Sequence, residues 1–286
     1  TGTITTVDDL IADGDQNETF RIALDAAASD DCYAITPVNY VMSILDDEVA
    51  GFILSTVSGT LAEGNSQTAQ VSVVLTAVPL TNIIIDLQSL DTTEVTIATA
   101  SLTFTPSNWN IAQTVNLTSV DELLVDGTQT VSITASINGS SDPAFTGLAS
   151  QTVSVENADN DIPGFTLSSI TGNLTEAATQ TASLTIVLNA RPISDVILSI
   201  TTSPTDEISL STTSVTFTNA NWNATQTLVF SSLDDFLIDG TINTSVTFSI
   251  DSTSDASYVS SVTAQTIAVA NQDNEIADFT VSPLYG

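Results

Sequence analysis

The chain has 286 residues, of which 34 are acidic and only two, Arg21 and Arg191, are basic, giving a formal charge of −32. That balance excludes nucleic acid as a partner, because binding phosphates takes Lys or Arg to displace counterions, and it opposes anionic membrane surfaces. An apolar content of 42% excludes disorder, and no apolar run approaches the roughly 20 residues of a membrane-spanning helix, so no membrane insertion is expected.

Read from the N-terminus, the chain repeats itself. Phe52, Glu63, Pro79, Glu94, Phe104, Trp109, Asp121, Asp126 and Gly127 recur 113 positions later as Phe165, Glu176, Pro192, Glu207, Phe217, Trp222, Asp234, Asp239 and Gly240. Asp8, Asp13, Gly14 and Asp46 join the same register one copy earlier, and one extra residue late in the last full copy carries Asp159 to Asp273 and Phe165 to Phe279. A fixed period marks a tandem array of one supersecondary unit. The expected division is residues 1–50 as the C-terminal part of a repeat, 51–163 and 164–277 as complete repeats, and 278–286 as the first strand of a following repeat or a donated strand.

Within residues 51–163 short apolar runs alternate with turn-rich segments. Strands are predicted at Phe52–Val57, Ala69–Thr76, Asn82–Gln88, Val95–Thr105, Gln113–Ser119, Thr130–Ile137 and Ser150–Glu156. In Val71-Ser-Val-Val-Leu and Val131-Ser-Ile-Thr-Ala the odd positions are apolar, the period of a half-buried strand. Dense Thr and Val favour the pleated sheet over the helix. Seven strands in about 110 residues are the size and count of an immunoglobulin-like antiparallel β-sandwich, so the fold class is all-β, with tandem sandwiches in series. Trp109 and Trp222 are expected to plug the end of each sandwich; stacking on a sugar is the alternative.

Three acidic clusters recur. The first is Glu63 and Glu176, after strand one. The second lies between strands five and six: Asp8, Asp9 and Asp13; Asp121, Glu122 and Asp126; Asp234, Asp235 and Asp239. The third follows strand seven: Asp46, Asp47 and Glu48; Asp159 and Asp161; Asp273 and Glu275. In an antiparallel sandwich, loops after odd-numbered strands share one end, so the fold should gather all three. Two carboxylates about 4 Å apart repel by on the order of 4 kcal/mol at an effective dielectric near 20. Five or six together call for a cation, and hard oxygen ligands without His or Cys select calcium (Ca2+) over zinc or copper. Solvated acidic turns on an acidic protein are the alternative.

The order Glu63, Leu102-Thr-Phe-Thr-Pro, Gln113-Thr-Val, Asp121-Glu122, Asp126-Gly-Thr-Gln-Thr-Val and a final Asp159-Asn-Asp resembles the Calx-β repeat, known from sodium–calcium exchangers and bacterial surface proteins and adhesins. The resemblance spans nearly the whole chain. It implies calcium ligands at Glu63, Asp121, Glu122, Asp126, Asp159 and Asp161, and at Glu176, Asp234, Asp235, Asp239, Asp273 and Glu275. The usual all-Asp ending is here Asp-Asn-Asp or Asp-Asn-Glu, with Asn a weaker ligand.

With no His, no Ser-His-Asp set exists. Paired carboxylates such as Asp121 and Glu122 could serve glycoside hydrolysis, but identical pairs in every copy point to metal or solvent, and no enzyme is expected. The single Cys32 permits no intrachain disulfide. Asn17, Asn116, Asn138, Asn173, Asn223 and Asn243 begin Asn-x-Ser/Thr sequons. The expected role is an extracellular or cell-surface stalk, filament or sheath. Calcium would stiffen its repeat junctions, and its partners would be further repeats or copies of itself. The alternative is an adhesin module recognising a glycan or surface protein. The partial repeats at both ends fit a segment of a longer array or a strand-donating subunit.

Overall fold

The computed structural model describes residues 3–24, 36–64, 67–139, 141–176 and 180–282; Cys32 and its reading lie outside them. The chain forms two compact units, Thr1–Asp121 with Thr128–Ala158, and Glu122–Gly127 with Asp159–Gly286. Among the described residues no helix is long and apolar enough to cross a membrane.

The first unit opens with an antiparallel pair, β1 (Gln16–Ile22) and β2 (Val38–Ile44), whose Phe20 and Tyr40 rings stack at 5.4 Å. A sandwich follows, built from β3 (Phe52–Leu54), β4 (Leu61–Ala62), β5 (Thr68–Leu75), β6 (Ile83–Ser89), β7 (Val95–Ile97), β8 (Ser101–Phe104), β9 (Gln113–Ser119), β10 (Gln129–Ile137) and β11 (Gln151–Ala158). Its two sheets have the orders β3-β5-β9-β7 and β4-β11-β10-β6-β8. The predicted alternation is real: Ala69, Val71, Val73 and Leu75 on β5 are buried, with Leu117 of the same sheet, in one core with Ile83, Ile85, Phe104 and Ile133 of the other. Each Val, Leu, Ile or Phe side chain among these contributes about 1.5–3 kcal/mol on burial, which holds the two sheets together without any disulfide.

The second unit repeats this plan with β12 (Phe165–Leu167), β13 (Leu174–Thr175), β14 (Thr181–Leu188), β15 (Val196–Ser203), β16 (Ile208–Leu210), β17 (Ser214–Phe217), β18 (Gln226–Ser232), β19 (Ile242–Ile250) and β20 (Gln265–Gln272). The sheets are β12-β14-β18-β16 and β13-β20-β19-β15-β17. A single helical turn, α1 (Ala256–Ser261), precedes β20; Asp255 caps it, accepting the Ser257 N–H at 3.0 Å and the Ser194 N–H at 2.9 Å.

Two edge strands are each divided between the sheets. The predicted Phe52–Val57 shortens to β3, paired with β5, while β4 lies beyond that range, in a stretch not predicted as strand, and runs parallel to β11 in the other sheet. The stretch Val95–Thr105 breaks into β7, on β9, and β8, on β6, so nine short strands replace the seven expected. Both splits hand one strand from sheet to sheet, which apolar alternation alone does not reveal. The first crossover needs glycine. Gly172, at φ +94°, would place a Cβ 2.6 Å from the Thr181 carbonyl oxygen. At the gap left between β3 and β11, the Gln151 side chain accepts the Leu54 N–H at 3.0 Å and donates to the Phe52 carbonyl. Gln265 donates likewise to the Phe165 carbonyl at 3.0 Å.

Trp109 and Trp222 are partly buried, each packed against the core of its own unit, as expected of plugs.

Gly172→Ala is expected to destabilise the chain by more than about 2 kcal/mol, because backbone strain and a backbone clash add. Gly240→Ala, at φ +77° with no atom within 4 Å of the new Cβ, should cost only the left-handed strain of about 1–2 kcal/mol. Urea midpoints of the two variants check the order.

Candidate metal centre

The second unit contains a complete acidic pole. Within one sheet β13 runs parallel to β20, while β19 runs antiparallel to both β20 and β15. β13, β15 and β20 therefore point the same way, and the segments that follow them emerge at one end. These segments carry Glu176, Glu207 and the pair Asp273 and Glu275. β18 reaches the same end from the other sheet: the Leu233 N–H just beyond it donates to the Glu207 carbonyl at 2.9 Å. Asp234, Asp235 and Asp239 follow. Loops after the first, third, fifth and seventh crossings converge, as the parity of an antiparallel sandwich dictates.

Asn271, fully buried on β20, stands at the centre. Its Nδ2 donates toward Glu176 Oε1 at 3.4 Å, Glu207 Oε2 at 3.4 Å, the Glu207 carbonyl at 3.1 Å and the Leu233 carbonyl at 3.3 Å. Glu176 is 1% exposed and Glu207 7%. Oxygens of Glu176, Asp235 and Glu275 all lie within 4.8 Å of one another, as do oxygens of Glu207, Asp235 and Asp239. At that separation each ionised pair repels by on the order of 3 kcal/mol at an effective dielectric near 20. Three buried oxygens there, Glu176 Oε2, Glu275 Oε2 and Asn271 Oδ1, receive no N–H or hydroxyl hydrogen bond. Burial first, then the proton shared with Glu275 and the charges of Glu275, Asp235 and Asp239, push the Glu176 carboxyl up to about 7. Burial likewise raises Glu275.

Asp273 is held differently. Its Oδ2 accepts the Gly240 N–H at 2.7 Å and its Oδ1 the Glu275 N–H at 2.7 Å, and the Gly240 contact leads in lowering its carboxyl below the usual range. Gly240 at φ +77° turns that N–H toward the carboxylate. The clasp is repeated by Asp159, which accepts from Gly127 at 2.8 Å and Asp161 at 2.6 Å, and by Asp46, which accepts from Gly14 at 2.5 Å and Glu48 at 3.0 Å. Gly14 and Gly127 share the left-handed backbone, at φ 76° and 74°. The clasp ties the second acidic loop to the third and leaves Glu176, Glu207, Asp235, Asp239 and Glu275 as the residues whose oxygens face each other. Asp234 accepts the Asn274 side-chain N–H at 3.1 Å instead.

The other predicted positions fall as follows. In the first unit Glu63 and Glu94, 1% and 5% exposed, are both reached by Nδ2 of the buried Asn157, at 3.3 Å and 3.1 Å. Asp121 ends that unit's first segment, while Glu122, Asp126, Asp159 and Asp161 belong to the second unit. Near the N-terminus oxygens of Asp8, Asp47 and Glu48 lie within 4.8 Å of one another. Asp9 accepts the Ile11 N–H at 2.9 Å and Asp13 is exposed. Sequence reasoning missed Glu207 and Asn271. Glu94 and Glu207 stand in the repeat register and follow the third strand, so the same parity argument identifies them. Asn157 and Asn271 recur too, at the ends of β11 and β20.

Carboxylates, carbonyls and one carboxamide are an all-oxygen donor set, which suits Ca2+, a hard cation of six to eight ligands. No protein-family model and no curated protein matches the chain. Among solved structures, the chain is similar to CBD12 from CALX1.2 at 14% identity, over 70% of this chain and 83% of that one, with a TM-score of 0.29. It is similar to mouse cadherin-23 EC22-24 at 11% identity, 91% and 74% coverage and a TM-score of 0.32. S-layer protein SbsC domains 4 and 5 match at 11% identity, 66% and 75% coverage and a TM-score of 0.25. Identities and TM-scores this low carry no function.

Glu176 makes the metal-free chain pH-sensitive. Its folded carboxyl, raised to about 7 from 4.5, binds a proton more tightly than in the unfolded chain. Its contribution is therefore fully present below pH 4.5 and is lost as pH rises through 7. In chelator, urea midpoints should fall across that window, and Glu176→Gln should flatten the fall.

Proposed function

We propose that this chain is an extracellular structural repeat protein whose acidic poles bind calcium, and that the bound ion stiffens the array of sandwiches. The observation that supports the reading is the set of buried oxygens of Glu176, Glu275 and Asn271 that receive no N–H or hydroxyl hydrogen bond, among carboxylates that repel one another when ionised. Buried polar groups without partners cost roughly 1–3 kcal/mol each, and a divalent cation relieves that cost and the repulsion together. Glu176, Glu207, Asp235, Asp239 and Glu275 would hold the ion. When bound it supplies charge compensation and cross-linking of four loops, and no chemistry. Two basic residues against 34 acidic ones leave few side chains to do this instead. The tandem period supports a spanning or assembling role, because one site design recurs rather than one unique site.

Calcium titration by calorimetry and thermal melting tests the ion. At a hundredfold excess over Kd, calcium should stabilise the chain by about 2.7 kcal/mol per site. The Glu176→Gln/Glu207→Gln double variant should lose that gain in the second unit while keeping its fold. Absence of both binding heat and any melting shift would end the calcium reading. Small-angle scattering with calcium and with chelator tests stiffening: the maximum dimension should shrink or blur on chelation, and an unchanged value counts against it.

A further inference from the structure

The acidic loop of this repeat does a second job besides holding carboxylates. In the first unit Ile11 bridges in parallel to Val78, the Val78 N–H donates to the Leu10 carbonyl at 2.7 Å, and Ala12 is 5% exposed in the core. In the second unit Leu124 bridges in parallel to Arg191. The Arg191 N–H donates to the Leu123 carbonyl at 2.6 Å, its carbonyl accepts the Val125 N–H at 2.9 Å, and Val125 is 5% exposed in the core. Both receiving turns read Ala-x-Pro, Ala77 to Pro79 and Ala190 to Pro192, and both alanines are 1% exposed. A residue larger than Ala would hold the loop backbone away from the turn.

The third copy of the loop, Asp234–Gly240, carries the same register with Phe236, Leu237 and Ile238, and there the side chains stand in solvent. Ile238 is 61% exposed where Val125 and Ala12 are 5%, and Phe236 is 92% exposed where Leu10 and Leu123, exposed even in the occupied copies, are 56% and 55%. Beside it in sequence register, Phe279 is 82% exposed where Phe52 and Phe165 are 4% and 3%. Large apolar side chains at such exposure mark an interaction surface, and the occupied copies, where the counterparts Ala12 with Phe52 and Val125 with Phe165 share one core each, specify what covers it.

We propose that Phe236–Ile238 and Phe279 form a docking face for one further sandwich of this same repeat. That sandwich would bury Ile238 and Phe279 in its core and offer an Ala-x-Pro turn to the backbone at Phe236 and Ile238. The proposal extends the structural-array reading but does not need its metal: neither occupied copy uses a carboxylate in the backbone contact. The glutamate–arginine pair at 3.4 Å between Glu122 and Arg191 adds to one copy only, since Val78 stands at the equivalent position in the other.

Amide hydrogen exchange tests it. The full chain is prepared as it stands and with a copy of its own residues 169–277 appended after position 282, each in calcium and in chelator. In the extended chain the Ile238 N–H should exchange at least about a hundredfold more slowly than in the unextended chain, approaching the Val125 N–H, which serves as an internal reference in both. Ile238→Asp in the extended chain should abolish that protection and leave Val125 protected. Protection in chelator supports docking whatever the calcium titration shows, so the two readings fail separately. Equal Ile238 exchange with and without the appended sandwich overturns the proposal. Protection that grows with the concentration of the unextended chain overturns it in favour of a second copy of the chain as the occupant.

Discussion

The fully buried Asn271 side chain has one amino group to offer, and two glutamate carboxylates and two carbonyls compete for it. The chemistry of the acidic pole follows from that shortage. A neutral amide orients Glu176 and Glu207 but cannot balance their charge, and removing charged groups from water without a counter-ion costs several kcal/mol. Protonation and cation binding are the two remaining ways to settle the deficit, and the raised Glu176 carboxyl marks the first of them. The first unit holds Glu63 and Glu94 around Asn157 in a similar way, but the carboxamide oxygen is treated differently. There Ser119 donates to Asn157 Oδ1 at 2.7 Å, whereas the matching Ser232 Oγ and Asn271 Oδ1 both lie unpartnered.

Around that centre the loops are positioned by backbone rather than by charge. Asp46, Asp159 and Asp273 each accept two backbone N–H groups, one from a left-handed glycine about thirty residues earlier and one from the residue two positions on. For Asp46 and Asp273 these N–H groups hold the carboxyl below its usual range, favouring the charged form. The clasp therefore survives the crowding that drives Glu176 and Glu275 toward protonation, and the pole keeps its shape while its protonation changes.

Much of this was legible in the sequence because the period supplied an internal comparison. Register alone identified Asp239, Gly240 and Asp273 as equivalent to Asp126, Gly127 and Asp159, and the alternation of β5 and β10 gave the buried faces. Parity of antiparallel strands then gathered the acidic loops. Glu207 and Asn271 were less visible for a physical reason: each lies beside an apolar strand, where a polar residue reads as a strand end until the partner across the pole is known. The division of Val95–Thr105 into β7 and β8 escaped because handing a strand between sheets leaves its apolar period intact, and the two-residue β4 escaped because it is too short to show a period. The ownership of Glu122–Gly127 by the second unit was equally hidden, since sequence repeats mark homologous segments and not the bodies they pack into.

The chain has no lysine, the residue with which β-proteins commonly guard open strand edges against unwanted pairing. Gln151 and Gln265 occupy part of such an edge instead. Each carboxamide occupies the slot where an incoming peptide group would bind, engaging the Phe52 or Phe165 carbonyl from within its own sandwich. A neutral side chain that imitates a peptide closes these slots without adding charge, so the contact itself, unlike a lysine guard, does not depend on salt or pH.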